Sequence, residues 1–472
     1  MNFNDLGLKI GIELHAQINS GKLFCRCPSN LSGKDAEFKI IRKLRTVSSE
    51  LGEKDIVAEY ELGKNKYAIY EMPEESSCLI EADEEPIMEI DNNALMTALQ
   101  VSLMLNAKLV DVLQIMRKQV LDFSNTSSFQ RTGILAMKGK VKTRTGIVNI
   151  DNIAIEEDAA RKINETKEYV VYRLDRLGFP LIEISTGPNM DDPEQAREVA
   201  QYIGMVLKST GKIKPGIGTI RQDLNISIKG HPRIEIKGVQ DLRAIPEIIR
   251  KEVERQLNEV KSGKKLQSHV RKANIDNTTS YLRPMPGAAR LYVETDHPVI
   301  MITQDMIKTI KIPELISEKV LNLESRYNIN PQLANEIIRK NIDVDYFIHK
   351  FKNIDVDFLA HVLVEIEKEI EARFKLKAKF KKEDFEEVLS YYDKKEIAKE
   401  AVFDIFLEKA QGKRIDYLKY KVFSAGEIED EVKKLVKEKK ELSDNAIMGI
   451  LMQKYRGKID ARKLMEIIRR YR

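Results

Sequence analysis

The residues best suited to chemistry near the start of the chain lie on one face of a predicted strand. Between residues 8 and 17, isoleucine and leucine alternate with glycine and polar residues, which is the pattern of a strand with one buried face. Glu13 and His15 share the polar face, where side chains two residues apart point the same way, about 7 Å apart. A carboxylate and an imidazole so placed can bind one metal ion, although a half-buried strand with a solvated face has the same pattern.

Acidic and basic residues recur on the polar faces of two later predicted strands. Arg221, Asp223 and Asn225 alternate with apolar residues, and Glu235 and Lys237 do the same a few residues further on. More carboxylates lie between these strands and the first one, namely Glu156, Glu157, Asp158, Asp175 and Glu183. Carboxylates gathered at apolar-backed positions repel one another and are costly to bury unless cations offset their charge.

The available ligands are typical of a site for a hard divalent cation. Oxygen ligands with one imidazole suit Mg²⁺ or Mn²⁺ bound to phosphates. The sequence has no GxxxxGK[ST] motif, and the glycines at 216 and 218 lack the third glycine of a dinucleotide-binding fingerprint. If ATP is used, metal ions and basic side chains must therefore hold its phosphates.

The composition is that of an ordinary globular protein, and its length corresponds to about two to four domains. The 472 residues carry nearly balanced charges, with a net charge of +5, so any nucleic-acid surface is expected to be local. The first residues do not form a basic segment followed by an apolar one, and the sequence has no run of about 18 apolar residues. We therefore predict a cytoplasmic protein without a membrane segment.

The three cysteines are too few for a disulfide framework. Cys25 and Cys27 resemble half of a zinc site, because zinc sites in proteins often use paired cysteines. Cys78 is the one other cysteine of the sequence. A zinc site made of four thiolates therefore cannot be completed within the chain.

The organisation of the chain changes near residue 298. Before it, short alternating strands and glycine turns predominate, with a few helices such as the one predicted from Asn93 to Leu105. After it, amphipathic helices predominate, including those predicted at 358–374 and 382–392. We predict an α+β fold, with a mixed α/β domain at residues 1–298, an all-α helical domain at 299–412 and a small all-α tail domain at 413–472.

The end of the tail domain is strongly basic. Apolar residues recur at helical spacing in three helices, and Ser443 and Asp460 stand at N-cap positions. The basic cluster consists of Lys454, Arg456, Lys458, Arg462, Lys463, Arg469, Arg470 and Arg472. Such a cluster favours contacts with nucleic-acid phosphates, although a solvated basic face has the same composition.

Several motifs, in this order, resemble those of the B/E family of tRNA-dependent amidotransferase subunits. They are GIELH at 11–15, KLFC at 22–25, EDAARK at 157–162, PLIEI at 180–184, IRQDLNIS at 220–227 and RIEIK at 233–237. Other motifs resemble its archaeal branch, the E subunits of glutamyl-tRNA(Gln) amidotransferases. These are EESSCLIEADEE at 74–85, MRK at 116–118, SNTSSFQRT at 124–132, GVQ at 238–240 and KYRGKID at 454–460.

The resemblance implies both a fold and a reaction. The N-terminal domain would be cradle-shaped and hold a kinase-like site, and the tail domain would engage tRNA. ATP would phosphorylate the γ-carboxylate of glutamate esterified to tRNA(Gln), and ammonia would then displace phosphate to give glutaminyl-tRNA. Such a reaction needs the charges of the phosphates and of the carboxylate to be neutralised, which metal ions and basic side chains can do.

The resemblance also assigns roles to the polar residues of the predicted strands. The first-choice ligands of Mg²⁺ or Mn²⁺ are Glu13, His15 and Glu157. Candidates for catalysis, through a second ion or an ammonia relay, are Glu156, Glu183, Asp223 and Glu235. Arg221, Asn225 and Lys237 would bind ATP, and Asp223 could also help to orient its phosphates.

The partners implied are an asparaginase-like D subunit and Glu-tRNA(Gln), in a dimer of heterodimers. The D subunit would hydrolyse glutamine and pass on the ammonia, because this sequence contains no recognisable glutaminase motif. Two other classes stay open: a bacterial-type B subunit that pairs with an amidase-like partner, and a non-catalytic tRNA-binding scaffold.

One departure from the family pattern concerns a large insertion that resembles part of aspartyl-tRNA synthetase. It would follow the helix predicted at 245–260 and precede the segment that begins near Val270. Here a short basic joint, KSGKK at 261–265, occupies that place. Any tRNA contacts of the insertion are then left to the helical and tail domains.

Overall fold

The computed structural model describes residues 3, 5–43, 56–120, 122–263, 265–285, 291–422, 425–455 and 461–472. The chain divides into two compact units, Met1–Leu315 and Ile316–Arg472. The first unit contains the strands, and the second is helical. The predicted α+β class is confirmed.

Most strands of the first unit are short. Their bounds are β1 Lys9–Gln17, β2 Phe38–Lys43, β3 Tyr67–Met72, β4 Lys108–Leu109, β5 Val112–Leu113, β6 Met116–Gln119, β7 Phe129–Lys142, β8 Ile147–Glu157 and β9 Arg161–Glu165. The later ones are β10 Tyr169–Arg173, β11 Pro180–Thr186, β12 Ile220–Ser227, β13 Ile234–Val239, β14 His269–Ala273, β15 Thr279–Pro284, β16 Leu291–Val293 and β17 Ile300–Met301. The helices are α1 Ile56–Gly63, α2 Asn92–Met104, α3 Pro193–Ser209, α4 Ile245–Lys261 and α5 Gln304–Lys308.

A sheet of eleven strands forms the centre of the first unit. Ten strands follow the order β15-β14-β13-β12-β1-β11-β8-β7-β6-β16, and β4 pairs with β7. All neighbours are antiparallel except β13 and β14. The predicted strand at 8–17 is therefore a central strand, β1. A smaller sheet has the order β2-β3-β10-β9.

Helices α2, α3 and α4 cover one face of the large sheet. Ile10, Ile12 and Leu14 of β1 are at most 1 % exposed and join the core under these helices. Helix α3 begins sharply because the Asp192 side chain accepts hydrogen bonds from the Glu194 and Gln195 N–H groups. Since strand residues alternate in direction, the polar residues of β1 must face the opposite side of the sheet.

The first unit extends beyond the predicted boundary at residue 298. Strand β17 pairs with β5, and Ile302 is buried in the core of the first unit. Both contacts are long-range in sequence, which is why the local change in pattern near 298 does not coincide with the division after Leu315.

The second unit consists of helices around two separate apolar cores. Its helices are α6 Ile316–Tyr327, α7 Pro331–Arg339, α8 Val344–Lys350, α9 Val356–Phe374, α10 Lys382–Asp393, α11 Lys399–Ala410, α12 Ala425–Glu438, α13 Asp444–Tyr455 and α14 Ala461–Tyr471. The first core extends to Tyr420, past the predicted boundary at 412, and the second is formed by α12, α13 and α14. Ser443 accepts a hydrogen bond from Ala446 N–H, as an N-cap does, whereas Asp460 lies outside the described residues.

Within the described ranges, no helix is both long and apolar enough to cross a membrane.

Candidate active site

The polar face of the large sheet, opposite the helices, carries most of the charged residues singled out in the sequence. They lie on five adjacent strands in the order β13, β12, β1, β11 and β8. The face forms the floor of a cavity of about 1200 Å³. Charged side chains that line it are Glu13, His15, Lys118, Asp122, Glu156, Asp158, Lys162, Arg176, Glu183, Arg221, Asp223, Arg233, Glu235, Lys237 and Arg283.

Three of these residues form what we call the histidine cluster: His15, Glu156 and Glu183. His15 pairs with Glu183 in the register of β1 and β11, and its Nε2 atom lies 3.5 Å from Glu183 Oε2. One potential ligand atom from each residue lies within 4.8 Å of the others. An imidazole and two carboxylates at this separation can share one divalent cation.

A second group, the carboxylate cluster, consists of Glu13, Asp223 and Glu235. Glu13 pairs with Asp223 in the register of β1 and β12, and the three potential ligand oxygens again lie within 4.8 Å of one another. The Asn225 amide donates a hydrogen bond of 2.9 Å to Glu13 Oε1. Its own Oδ1 atom is buried and has no hydrogen-bond partner among the described residues.

One lysine lies against each cluster. Lys118 Nζ is 3.4 Å from Glu156 Oε1 and 3.7 Å from Glu183 Oε2. Lys237 Nζ is 2.8 Å from Asp223 Oδ2 and 2.5 Å from Glu235 Oε1. Each ammonium offsets one negative charge, and the carboxylate cluster retains more acidic than basic groups.

The pKa values of one carboxylate in each cluster are raised, first by burial and then by neighbouring carboxylates. Burial, and then the charge of Glu183, raise the pKa of Glu156 to about 7. Burial alone would raise the pKa of Glu183, but the His15 hydrogen bond and the Lys118 charge lower it. Burial, Glu183 and Glu235 likewise raise the pKa of Glu13. A divalent cation would relieve the repulsion between these carboxylates, so the donor set, its charge and the buried, unpartnered Asn225 oxygen fit Mg²⁺ or Mn²⁺.

Glu157 does not join Glu13 and His15, contrary to the predicted ligand set. Consecutive residues of a strand point to opposite faces, so Glu157 faces away from its neighbour Glu156. It is buried against Arg131, whose backbone N–H donates to Glu157 Oε2 at 3.1 Å and whose Nη1 lies 3.4 Å from Oε1. Glu13 and His15, which were predicted to bind one ion together, lie in different clusters. Their roles as ligands stay predictions.

The predicted phosphate-binding residues are distributed over the site. Arg221 lines the cavity, and its Nη2 donates a hydrogen bond of 3.0 Å to the buried Asp158. Lys237 lies in the carboxylate cluster, and Asn225 contacts Glu13. Arg221 is thus fixed by a carboxylate at the cavity wall, where a phosphate could reach its outer side.

Two further residues of the site, Lys118 and Gln130, were not predicted from the sequence. Gln130 Nε2 donates hydrogen bonds to Glu156 Oε2 at 3.1 Å and to the Glu157 carbonyl at 2.8 Å. Both residues come from β6 and β7, which continue the sheet beyond β8. Since β6 has only four residues, all of them half-buried, its pattern gives no clear alternation.

Because Glu156 and Glu157 are adjacent but face opposite sides, they form a matched pair for a test of the metal site. We expect Glu156→Gln to weaken Mn²⁺ binding by roughly 100-fold or more, since even the loss of a group that only supports a ligand costs 10- to 100-fold. Glu157→Gln should leave the affinity near the wild-type value. Mn²⁺ titration followed by electron paramagnetic resonance measures both, and equal losses in the two variants would refute the assignment.

Comparison with known proteins adds a family and several relatives. Residues 8–308 match the family model described as the GatB/GatE catalytic domain. The E subunit of the glutamyl-tRNA(Gln) amidotransferase of Methanosarcina barkeri is 33 % identical, with 99 % of this chain and 98 % of the relative aligned. The protein of the same name from Methanocaldococcus jannaschii is 33 % identical over 100 % of this chain and 99 % of the relative. That of Saccharolobus islandicus is 54 % identical over 262 residues, which are 55 % of this chain and 41 % of the relative.

The relatives are longer than this chain. The alignment with the Methanosarcina barkeri protein extends over 621 positions, whereas this chain has 472 residues. The relative therefore has residues that this chain lacks, as expected from the short joint that stands in place of the insertion. In the structure, helix α4 ends at Lys261 and β14 begins at His269, so a short segment joins them.

Proposed function

The chain belongs to the GatB/GatE family, and from this premise we propose that it converts Glu-tRNA(Gln) into Gln-tRNA(Gln) in an ATP-dependent amidotransferase. The relatives that align over nearly their whole length carry the name of this activity. The observation that carries the proposal is the pair of acidic clusters side by side on one floor of a large cavity. A polyphosphate with its metal ions and a carboxylate substrate are the ligands that such a charge pattern suits.

The proposed reaction has two steps. An oxygen of the tRNA-linked γ-carboxylate attacks the γ-phosphorus of ATP, and ADP leaves. Ammonia then attacks the activated carbonyl carbon, phosphate leaves, and the nitrogen loses a proton. The first step brings a carboxylate towards a phosphate, so its barrier depends on how well the site neutralises negative charge.

The two clusters would hold the metal ions of this reaction. His15, Glu156 and Glu183 would bind one Mg²⁺ or Mn²⁺, and Glu13, Asp223 and Glu235 a second. Bound there, the ions would neutralise charge on the phosphate oxygens. Lys118 and Lys237 would then be free to turn towards the phosphates, because a cation would replace them as the partner of each cluster.

The side chains around the clusters would bind and orient the substrates. Arg221 and Arg233 line the cavity and could hold phosphate oxygens, and Asp158 fixes the position of Arg221. Glu156 would act through the cation that it helps to bind, because a bound divalent cation keeps a buried carboxylate ionised.

The finer parts of the proposal concern partners and domain roles. Ammonia would come from an asparaginase-like D subunit in a dimer of heterodimers, and the reaction would take place in the cytoplasm, where tRNA is aminoacylated. The first unit would act as the cradle for the acceptor end, and the second would bind tRNA. All the full-length relatives cited above are named as E subunits, which favours this assignment over a bacterial-type B subunit. A non-catalytic scaffold would not account for two clusters of potential metal ligands that face one cavity.

The proposal predicts that the purified chain amidates Glu-tRNA(Gln) when ATP and ammonium chloride are both supplied. Gln-tRNA, measured by chromatography of the amino acid released from the RNA, should form only with both compounds present. Amidation that does not need ATP, or no amidation when both compounds are present, would contradict it.

The basic end of the second unit is proposed to contact tRNA. Lys454, Arg470 and Arg472 are paired with Glu431, Glu429 and Asp444 at the surface. Exposed pairs of this kind contribute little to stability, so phosphates can displace the acidic partners. Arg456 and Lys458 lie outside the described residues.

We therefore expect removal of the residues after Val422 to weaken tRNA binding far more than ATP chemistry. This point leaves the first helical core intact, since Tyr420 is its last buried member and Val422 N–H still bonds the Glu396 carbonyl. The slope of log K against log salt should become shallower by about 0.7 to 0.9 for each phosphate that the shortened chain no longer touches. Fluorescence anisotropy over a salt series measures this. The double variant Arg469→Ala/Arg470→Ala should change the slope in the same direction. The matched control is Lys413→Ala/Arg414→Ala, a change at two exposed residues outside the tail helices. An unchanged slope would exclude the tail domain as a tRNA-binding element.

A further inference from the structure

Outside the active site, the three cysteines and one glutamate converge in the first unit. Cys25 and Cys27 lie in the loop after β1, and Cys78 and Glu81 lie in the turns after β3. One potential ligand atom from each of the four residues lies within 4.8 Å of the others. The fold thus brings together side chains from residues that are more than 50 positions apart in the sequence.

The carboxylate of Glu81 lies at the centre of the group, which we call the cysteine cluster. Its Oε1 atom is 2.9 Å from Cys25 Sγ, and its Oε2 atom is 3.2 Å from Cys78 Sγ and 4.0 Å from Cys27 Sγ. Glu81 is 5 % exposed and Cys25 is 3 % exposed. Thiols are weak hydrogen-bond donors, and among the described residues the one backbone donor to this carboxylate is Cys78 N–H, 2.8 Å from Oε2.

The surroundings of the cluster suit thiolates bound to a cation. Cys27 N–H donates to Cys25 Sγ at 3.3 Å, which is a contact that stabilises a charged sulfur. Lys22 is fully buried, with its Nζ 3.5 Å from Glu81 Oε1 and 3.0 Å from the Leu174 carbonyl. Three thiolates and a carboxylate carry four negative charges, of which a divalent cation and Lys22 together offset three.

We propose that Cys25, Cys27, Cys78 and Glu81 bind one Zn²⁺ ion as a closed structural site. Zinc prefers four ligands in a tetrahedral arrangement, and sulfur ligands select it over Mg²⁺ and Mn²⁺. The sequence has no fourth cysteine to complete such a site. The structure supplies the fourth ligand as a carboxylate, which is an accepted zinc ligand.

The zinc site would lie close to strand β8, which carries Glu156, and would help to hold the active site in place. Glu81, Arg131 and Glu157 line one small cavity, and Thr126 donates a hydrogen bond of 2.7 Å to the Glu81 carbonyl. Glu157 is the strand neighbour of Glu156 in the histidine cluster. A zinc ion would therefore join the loop after β1 to the turn after β3 next to the strand that holds Glu156. This inference does not depend on the reaction proposed for the cavity.

Metal analysis and cobalt substitution of the full chain test the proposal. We expect about one zinc per chain after purification in chelator-free buffer, since a closed four-ligand site holds its ion tightly. Because the sequence has no cysteine outside the cluster, an absorption band from thiolate to Co²⁺ reports on this site alone. His15→Ala should keep both the zinc and the band, which separates this site from the active site.

Variants of two proposed ligands, Cys78 and Glu81, make the test specific to this site. Cys78→Ser and Glu81→Gln should lose most of the zinc, and Glu85→Gln, a change at an exposed carboxylate nearby, should keep it. Glu81→Cys should fold, retain one zinc and strengthen the cobalt band by about a third, as expected when thiolate ligands increase from three to four. This variant keeps the proposal testable if the others fail to fold.

Three results would overturn the proposal. They are a purified wild-type chain without zinc that gives no thiolate-to-cobalt band, a chain that contains iron in place of zinc, and zinc content that is the same in wild type, Cys78→Ser and Glu81→Gln.

Discussion

Replacing His15 with alanine should lower the rate of phosphoryl transfer to tRNA-linked glutamate by roughly 10³-fold or more, because loss of a ligand removes several kcal/mol of transition-state stabilisation. His15 contributes the one imidazole of the histidine cluster and contacts Glu183. Its side chain lines the cavity and does not belong to the apolar core, so the fold should persist. Glu13→Ala should have a similar effect through the carboxylate cluster.

Single-turnover experiments with labelled ATP at saturating Mg²⁺ measure this rate. His361→Ala is the matched control, because His361 lies in the second unit and its side chain is 45 % exposed. Wild-type turnover in His15→Ala or Glu13→Ala would show that the metal ions bind elsewhere. Circular dichroism of each variant excludes unfolding as the cause of a loss.

The second large effect concerns the source of nitrogen. We expect the isolated chain to form Gln-tRNA with ammonium salt but not with glutamine, and addition of the D subunit to restore the use of glutamine. A glutaminase needs an activated nucleophile next to a base. The three cysteines of the chain all lie with Glu81 in the cysteine cluster, and thiolates bound to zinc there would not be free to attack an amide.

The glutamine experiment needs a preparation free of contaminating glutaminase. Glutamate release from glutamine, measured without tRNA, provides that control. Robust glutamine-dependent amidation by the chain alone would overturn the proposed division of labour. Channelling from the D subunit is expected because water would otherwise hydrolyse the activated carboxyl group.

The alternation of residues predicted the faces of the central strands well. Ile10, Ile12 and Leu14 are buried, and Glu13 and His15 face the cavity, because a central strand with one covered face imposes the period of two. The same alternation places Glu156 and Glu157 on opposite faces of the sheet. Family resemblance predicts Glu157 as a metal ligand, whereas in the structure its neighbour Glu156 lies with His15 and Glu183.

Other parts of the site depend on strand order, which sequence patterns do not contain. Lys118 reaches Glu156 because β6 lies two strands from β8 in the sheet. Glu81 reaches Cys25 and Cys27 through the fold of two irregular segments, neither of which has a periodic pattern. The boundary after Leu315 likewise reflects the pairing of β17 with β5. Each of these contacts joins segments that are distant in the sequence.

The most direct test of the central claim is the dependence of ATP cleavage on the state of the RNA. ADP formation by the full chain should be measured with Glu-tRNA(Gln), with uncharged tRNA(Gln) and without RNA, each at saturating Mg²⁺. If the two clusters form a site that phosphorylates tRNA-linked glutamate, ADP forms rapidly with Glu-tRNA(Gln) and remains at background in the other two reactions. Equal rates in all three, or no ADP with Glu-tRNA(Gln), would contradict the account.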